Sequence, residues 1–320
     1  MGRNTSRTAS PTSRWYTGVE LISNTKTVAM LMVITAAILW GFIGVFIRIL
    51  SDAGLDTMQI NGARSIVCTI LLAAILFIHD RGLFKIEKRH IWLIVFAAAM
   101  KLLMDICYVQ AQLVLSLSLA AVLLSTDCYF MLIISYFMFR GGITPMRIFA
   151  AIIGFFGCAI LVGLFTEDIG EIDAIGVLIG LGAGVAGTFY AVGLKVAMSK
   201  GYDPATVLFY VFLVGSIMML SIMDLPGTVT VISGDLSLLP FMIIIGIFFT
   251  LLPYYLYSTG LKELEPSTVT VLLFIETAAA AIAGLMFYNE TITFVDIIGL
   301  SMVLLSMFLV DKRIRPVKKE

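Results

Sequence analysis

Charge is scarce in this chain. Asp, Glu, Lys and Arg make up 13% of its 320 residues, against 60% apolar residues, and the mean hydropathy is +1.04. A soluble domain carries about a quarter charged residues, so a solvated surface around a small core is excluded and lipid is the expected solvent. Histidine is almost missing: His79 and His90 flank one loop and enter no apolar run, which excludes a proton relay built on imidazole. Four cysteines, Cys68, Cys107, Cys128 and Cys158, lie inside apolar runs without metal-site spacing, and read as small packing residues. No metal or other cofactor is expected. A nucleophile with a neighbouring base is lacking too, which argues against an enzyme. The formal net charge is zero, so the basic surface that nucleic acid requires is absent.

What is abundant is apolar length. A hydrocarbon core takes roughly 20 residues of helix to cross, and stretches of that kind occur at 28–50, 57–78, 91–115, 117–139, 145–165, 174–198, 204–225, 237–260, 267–288 and 294–310. Ten transmembrane helices are therefore expected, five in each half, since backbone groups in lipid must close their hydrogen bonds within each segment.

The cations are segregated. Arg3, Arg7, Arg14 and Lys26 precede the first span; Arg81, Lys85, Lys88, Arg89, Arg140, Arg147, Lys195, Lys200, Lys262 and the tail from Lys312 to Lys319 occupy alternate connections. The opposite connections hold Asp52, Asp56, Glu167, Asp168, Glu171, Asp173, Asp224, Asp235, Glu290 and Asp296, without Lys or Arg. Cationic loops stay cytoplasmic, so both termini are expected in the cytoplasm of a plasma (inner) membrane protein.

An internal repeat gives the same plan independently. Residues 118–148 align without a gap on 267–297 at an offset of 149, placing Asp127 on Glu276, Ser118 on Ser267 and Val122-Leu123-Leu124 on Val271-Leu272-Leu273. Upstream, an offset of 147 matches Phe42, Val45, Arg48 and Asp56 with Phe189, Val192, Lys195 and Asp203. An odd number of spans per repeat turns the second half upside down, the inverted-topology arrangement of alternating-access carriers. The expected organisation is a basic, disordered cytoplasmic tail at 1–27, a first five-helix repeat at 28–165, an acidic extracytoplasmic linker at 166–173, a second repeat at 174–310 and a basic tail at 311–320. The first 24 residues also loosely fit a myristoylation start at Met1-Gly2 with Ser6, or an organelle transit peptide. Asn289-Glu290-Thr291 has the form of a glycosylation sequon, close to the bilayer.

Gly182-Ala183-Gly184-Val185-Ala186-Gly187 has dinucleotide-site spacing but sits inside a span, where no strand or tight turn precedes it. The strip Gly176, Gly180, Gly184 instead suits close helix packing.

Charges within the spans are few: Arg48, Arg64, Lys101, Asp105, Asp127 and Glu276. Each costs roughly 2.5–3.5 kcal/mol at a helix centre on insertion scales, so pairing or a wet interior is expected. Arg48 lies near the outer end of its helix, where it can reach the interface. Lys101 and Asp105 share a helix face, and mutual neutralisation stands beside a place in the cavity wall. Arg64 lies deeper and has no cation at its repeat equivalent. Asp127 and Glu276 fall near the midplane, where a solute site at the repeat interface meets them; for each, a protonated carboxyl that only holds helices together is the alternative. Aromatic residues inside the spans, Trp40, Tyr108, Tyr129, Tyr190, Tyr254, Tyr255, Tyr257 and Phe274, are placed to line a cavity and hold an ammonium group, while for any single one core packing is the favoured reading. Pro253 opens the eighth span's hydrogen-bond ladder.

Over residues 28–310 the chain resembles the drug/metabolite transporter superfamily, in its EamA-type branch. The resemblance rests on Ile38-Leu39-Trp40-Gly41, on Tyr257 through Thr270 followed by Leu272-Leu273 and Glu276, and on Asn289-Glu290-Thr291-Ile292-Thr293. Thr277 stands where that family usually has Pro, and Arg140-Gly141-Gly142 replaces an acidic turn. The resemblance implies a five-plus-five inverted repeat around a central cavity and the movement of small metabolites, often amino acids outward. The expectation is thus a secondary transporter of a small polar solute, an amino acid or related amine, with Glu276, Asp127, Lys101, Asp105, Arg64, Trp40, Tyr108, Tyr190 and Tyr257 around the path and proton coupling open. A carrier of anionic or phosphorylated metabolites, with Arg64 and Lys101 as clamp, is the rival; a receptor or structural membrane protein is a second. Substrate and lipid bilayer are the expected partners, with oligomeric state undetermined.

Overall fold

Hydrocarbon offers a backbone amide no partner, so an apolar chain of this length satisfies itself by coiling. The computed structural model describes residues 11–79, 81–114, 123–138, 144–161, 173–288 and 294–311, and among these the only regular structure is helix. The first ten residues, most of the acidic linker, the sequon at 289–291, the Arg140-Gly141-Gly142 turn and the tail after Asp311 lie outside the described residues.

In chain order the helices are α1 (Pro11–Asp52), α2 (Thr57–His79), α3 (Ile91–Val114), α4 (Asp127–Met138), α5 (Pro145–Leu161), α6 (Ala174–Ser199), α7 (Pro204–Leu220) and α8 (Leu225–Gly234). Then follow α9, running from Leu238 to Glu263 with a π-helical turn at Ile247–Leu251, α10 (Pro266–Leu272), α11 (Ile275–Tyr288) and α12 (Phe294–Asp311). Five of them are long and apolar enough to cross a membrane, or six spans if α7 and α8, bent by 96°, count as one. The remaining expected spans fall on shorter apolar helices: Asp127–Met138, Pro145–Ile160, Pro266–Ala280 and Ile297–Ser306.

Three expectations change. The helix that holds the first span begins at Pro11, so residues 11–27 continue the span as helix where composition reads a disordered tail; proline is well placed there, its missing N–H being one of the helix's unpaired donors anyway. The seventh span ends at Leu220, and Asp224 starts the bent α8 by accepting from Gly227 N at 3.0 Å. The fourth and ninth spans, expected continuous, are interrupted by turns at Ser125–Thr126 and Leu273–Phe274.

Repeat-equivalent residues do equivalent jobs. Asp56 and Gln59 cap α2 reciprocally, each backbone N–H 2.8 Å from the other's side chain, and Asp203, the partner of Asp56 at offset 147, caps α7 through Ala205 N at 2.8 Å. Just before them, Gly54 and Gly201, also 147 apart, have the positive φ values +97° and +91°. Both close the preceding helix with a left-handed residue, Gly54 N–H donating to Ser51 O and Gly201 N–H to Met198 O.

Helices pack as two related halves would. The α3·α6 contact is matched by α9·α1, and α4·α6 by α11·α1, while α2 packs on its counterpart α7 and α5 on its counterpart α12. At the α2–α7 crossing the equivalent hydroxyls of Thr69 and Ser216 meet at 3.0 Å. At α5–α12, a Cβ on Gly154 lies 2.8 Å from Ser306 Oγ, and one on Gly157 lies 3.0 Å from Val303 N. Since 303 and 306 are the images of 154 and 157 at offset 149, the contacts are self-complementary, as about a local two-fold. Larger tethers join the halves on one side: Thr206 and Tyr210 hydroxyls donate to Leu83 O and Phe84 O at 2.8 and 2.7 Å, His90 Nδ1 and Tyr202 Oη share a 2.7 Å hydrogen bond, and Arg147 pairs with Glu265. Lys195, expected only as a flanking cation, caps α9 by donating to Leu261, Lys262 and Leu264 carbonyls at 2.6, 2.8 and 2.8 Å.

A Cβ at Gly201 meets nothing within 4 Å, so its cost is purely conformational. Replacing Gly201 by Ala should lower stability by about 1–2 kcal/mol, measured as thermal unfolding of the detergent-solubilised chain, and Gly201→Asn should lose less.

Candidate functional site

The interrupted spans build the site. Each break comes immediately before an acid: Asp127 is the first residue of α4, and Glu276 is the second of α11. Tight backbone hydrogen bonds three residues apart carry each span through its turn, Thr126 N–H donating to Leu123 O at 3.2 Å and Glu276 N–H to Leu273 O at 2.9 Å. The two acids are close enough to feel one another electrostatically.

Glycine holds the breaks in place. A Cβ on Gly41 lies 2.5 Å from Ala279 Cβ and 2.7 Å from Glu276 O, so only glycine lets α1 rest on the first turn of α11. In the other half, Cβ atoms on Gly180 and Gly184 lie 2.7 Å from Leu123 Cδ1 and 2.6 Å from Thr126 Oγ1. The glycine strip of α6 thus seats the break in the fourth span, which accounts for the dinucleotide-like spacing by packing. Thr188, the equivalent of Gly41 at offset 147, donates to Asp127 O at 3.2 Å. Phe274, expected at a cavity, is instead buried against Gly154 of α5.

Lys101, Asp105 and Arg64 are held by the surrounding helices. Lys101 Nζ is 2.7 Å from Asp105 Oδ2, both largely buried, and lies 5.4 and 5.2 Å from the ring centres of Phe212 and Tyr254, within cation–π range. Arg64 donates from Nε to Thr250 Oγ1 at 2.9 Å and from Nη1 to Asn61 Oδ1 at 3.0 Å. Thr250 belongs to the π turn of α9, just ahead of Pro253. Pro253 has no N–H to give to that turn, and the wider winding presents the Thr250 hydroxyl to α2.

Tyr254 sits beside the Lys101–Asp105 pair, its ring centre 5.2 Å from Lys101 Nζ, with Arg64 and Glu276 within electrostatic range. Trp40 packs edge-on against it at 4.9 Å and lies 5.5 Å from Tyr257; Tyr257 in turn couples to Asp127, and Tyr190 lies 6.2 Å from Tyr254. The structure therefore brings Glu276, Asp127, Lys101, Asp105, Arg64, Trp40, Tyr190 and Tyr257 into one cluster. Tyr108 stands half-buried one turn beyond Asp105. Two other aromatics leave the expected lining: Tyr255 is exposed, and Tyr129 packs on Phe155 at 5.3 Å. Arg48 is exposed near the end of α1.

Sequence reasoning missed the place of Tyr254 beside Lys101, although the offset of 149 lays it on Asp105. Phe212 and Thr250 were missed entirely. Among the described residues, the buried hydroxyls of Tyr190, Ser258 and Ser135 have no hydrogen-bond partner. Between α2, α3 and α7, beside Ser65, Lys101, Asp105 and Phe212, lies a cavity of about 10 Å³, the room of about one water.

A duplicated, multi-pass bundle of apolar helices with paired interior charges is the architecture of an integral membrane protein. The model of the EamA-like transporter family matches residues 27–163 and again 174–310, and the chain belongs to that family. An uncharacterized transporter of Archaeoglobus fulgidus is 26% identical over 63% of this chain and 70% of its own length. The threonine/homoserine exporter RhtA of Salmonella typhimurium is 32% identical over 42% of this chain and 44% of its own, so the chain spans under half of that relative; RhtA of Escherichia coli K12 is 28% identical over 43% and 45%. A solved crystal structure superposes with a TM-score of 0.72 at 12% identity, covering 91% of this chain and 99% of the other, which establishes the shared fold.

The close seat of α1 on α11 gives a direct check. Gly41→Ala should cost about 1–3 kcal/mol by overpacking, whereas Gly44→Ala, where an added Cβ meets nothing within 4 Å, should be neutral or stabilising in the same thermal unfolding assay.

Proposed function

We propose that this protein is a secondary carrier of a small polar metabolite, an amino acid or related amine, working by alternating access. In this reading ten spans form two inverted five-helix repeats, 28–165 and 174–310, joined by an extracytoplasmic linker at 166–173, with both tails in the cytoplasm of the plasma membrane. The carrying observation is the pair of broken spans: each places an acid in the first turn of a half-helix, and both acids belong to one charged, aromatic cluster. Discontinuous helices with termini aimed at the solute are how a bundle coordinates a polar guest without opening the backbone to lipid.

Chemistry supports an amine-bearing solute. Asp127 and Glu276 supply carboxyl groups, Trp40, Tyr254 and Tyr257 supply ring faces, and the unpartnered hydroxyls of Tyr190 and Ser258 supply orientation. The threonine/homoserine exporters among the relatives point the same way. We assign Glu276 to exchanging a proton, or to pairing with the ammonium, during the cycle.

The rival anion carrier needs Arg64 and Lys101 as a clamp. Lys101 is already neutralised by Asp105 at 2.7 Å, which leaves a single cation and favours the amino-acid reading.

Counterflow of radiolabelled L-threonine and L-homoserine in proteoliposomes tests it. Glu276→Gln should reduce exchange by about a hundred-fold or more, the order expected when a positioned acid–base group is removed, and should abolish its response to pH while the thermal midpoint stays near wild type. Normal, pH-responsive exchange by that variant would remove Glu276 from the mechanism.

A further inference from the structure

Arg64 is one of the positions at which the two repeats differ in charge. Its equivalent at offset 147 is Val211, and the next residues, Ser65 and Phe212, are likewise equivalent. Val211, Ser65 and Phe212 all line the cavity that also touches Lys101 and Asp105. The two equivalent faces therefore meet at the same interior, with Arg64 adjoining the cavity through Ser65 rather than lining it.

The way Arg64 is held matters more than its presence. A guanidinium has five N–H donors. Two are engaged by neutral oxygens, Nε–H by Thr250 Oγ1 and one Nη1–H by Asn61 Oδ1. Three donors remain, and both outer nitrogens keep at least one, which is the pair that a carboxylate takes end-on. Among the described residues Arg64 joins no ion pair: the acids engaged by cations are Glu87, Asp105 and Glu265, with Arg89, Lys101 and Arg147. Were Arg64 only a structural counter-ion, the arrangement would run the other way, with an acid at its fork. Here Asp105 is turned to Lys101 on its own helix, and Arg64 is braced by an amide and a hydroxyl that fix its plane without cancelling its charge. The brace is itself built for purpose: the π turn of α9 presents Thr250 from the opposite repeat, so the guanidinium bridges the halves.

Resting on the amino-acid reading above, we propose that Arg64 is the specificity-determining anchor for the carboxylate of a zwitterionic solute, received bidentately at the free end of its guanidinium while the solute's ammonium is left to the acids of the cluster. The carrier then selects amino acids over amines of the same size, because an amide or a decarboxylated analogue leaves the fork facing no charge. Lysine cannot replace Arg64, since an ammonium offers a point charge without the planar pair of donors.

The full-length chain in proteoliposomes is titrated with the twenty L-amino acids and with their carboxamides, reading the thermal midpoint and then counterflow of those that respond. For wild type, at least one amino acid should bind about ten-fold or more tightly than its carboxamide. In Arg64→Gln that preference should disappear, the amino acid falling to the level of its amide, and Arg64→Lys should lose several-fold of the preference while keeping the charge. Equal binding of acid and amide by wild type overturns the proposal without any variant, so a misfolded Arg64→Gln leaves it testable. A folded Arg64→Gln that still prefers the acid also overturns it. Responses to amines and amides alike leave the carrier intact and remove only the carboxylate anchor, whereas silence across both sets removes the amino-acid reading itself.

Discussion

An ionised group inside hydrocarbon must find either an opposite charge or a wet interior, and the architecture of this protein follows from where it finds them. Its interior charges do not face lipid singly. They converge from α2, α3, α4 and α11 onto a few aromatic rings of α1, α6, α7 and α9. To let them converge, the helices come very close, and glycine is used where they do: Gly41 under the first turn of α11, Gly180 and Gly184 under the break in the fourth span. The apolar bulk supplies solubility in the bilayer; glycine and threonine at a handful of sites decide where the carboxyls end up.

Much of this was legible in the chain because the repeat doubles the information. An acid at the same register in two halves identifies Asp127 and Glu276 as a pair, and four-residue spacing identifies Lys101 and Asp105. The breaks before the acids were not legible. No proline or glycine marks Ser125–Thr126 or Leu273–Phe274, and the hydroxyl of Thr188 and the bare backbone of Gly41 that accompany them come from distant helices. Phe212 was invisible for a related reason: in a helix apolar on every side, nothing distinguishes the residue that faces a lysine from those that face lipid. Thr250 is brought to Arg64 by a local widening of the helix that hydropathy does not record. The bend after Leu220 was missed because its signal, Asp224-Leu225-Pro226, reads equally well as a loop.

Some features that look functional in sequence turn out to be architectural. Asp56 and Asp203 repeat because each caps a helix, and Lys195 repeats the cation of Arg48 while holding the carboxyl end of α9. The membership in the EamA-like transporter family and the charged cluster together shift attention from such matched residues to the unmatched ones. Position 64 carries Arg where position 211 carries Val, and position 105 carries Asp where position 254 carries Tyr.

The hydroxyl contact between Thr69 and Ser216 has a different kind of significance. Because the two residues are images of each other, a motion in which the halves trade shapes carries this contact onto itself. The same image relation reaches the tethers: the Thr206 hydroxyl donates to Leu83 O just after α2, and Gln59, its partner at offset 147, donates through Nε2 to Asp224 O just after α7.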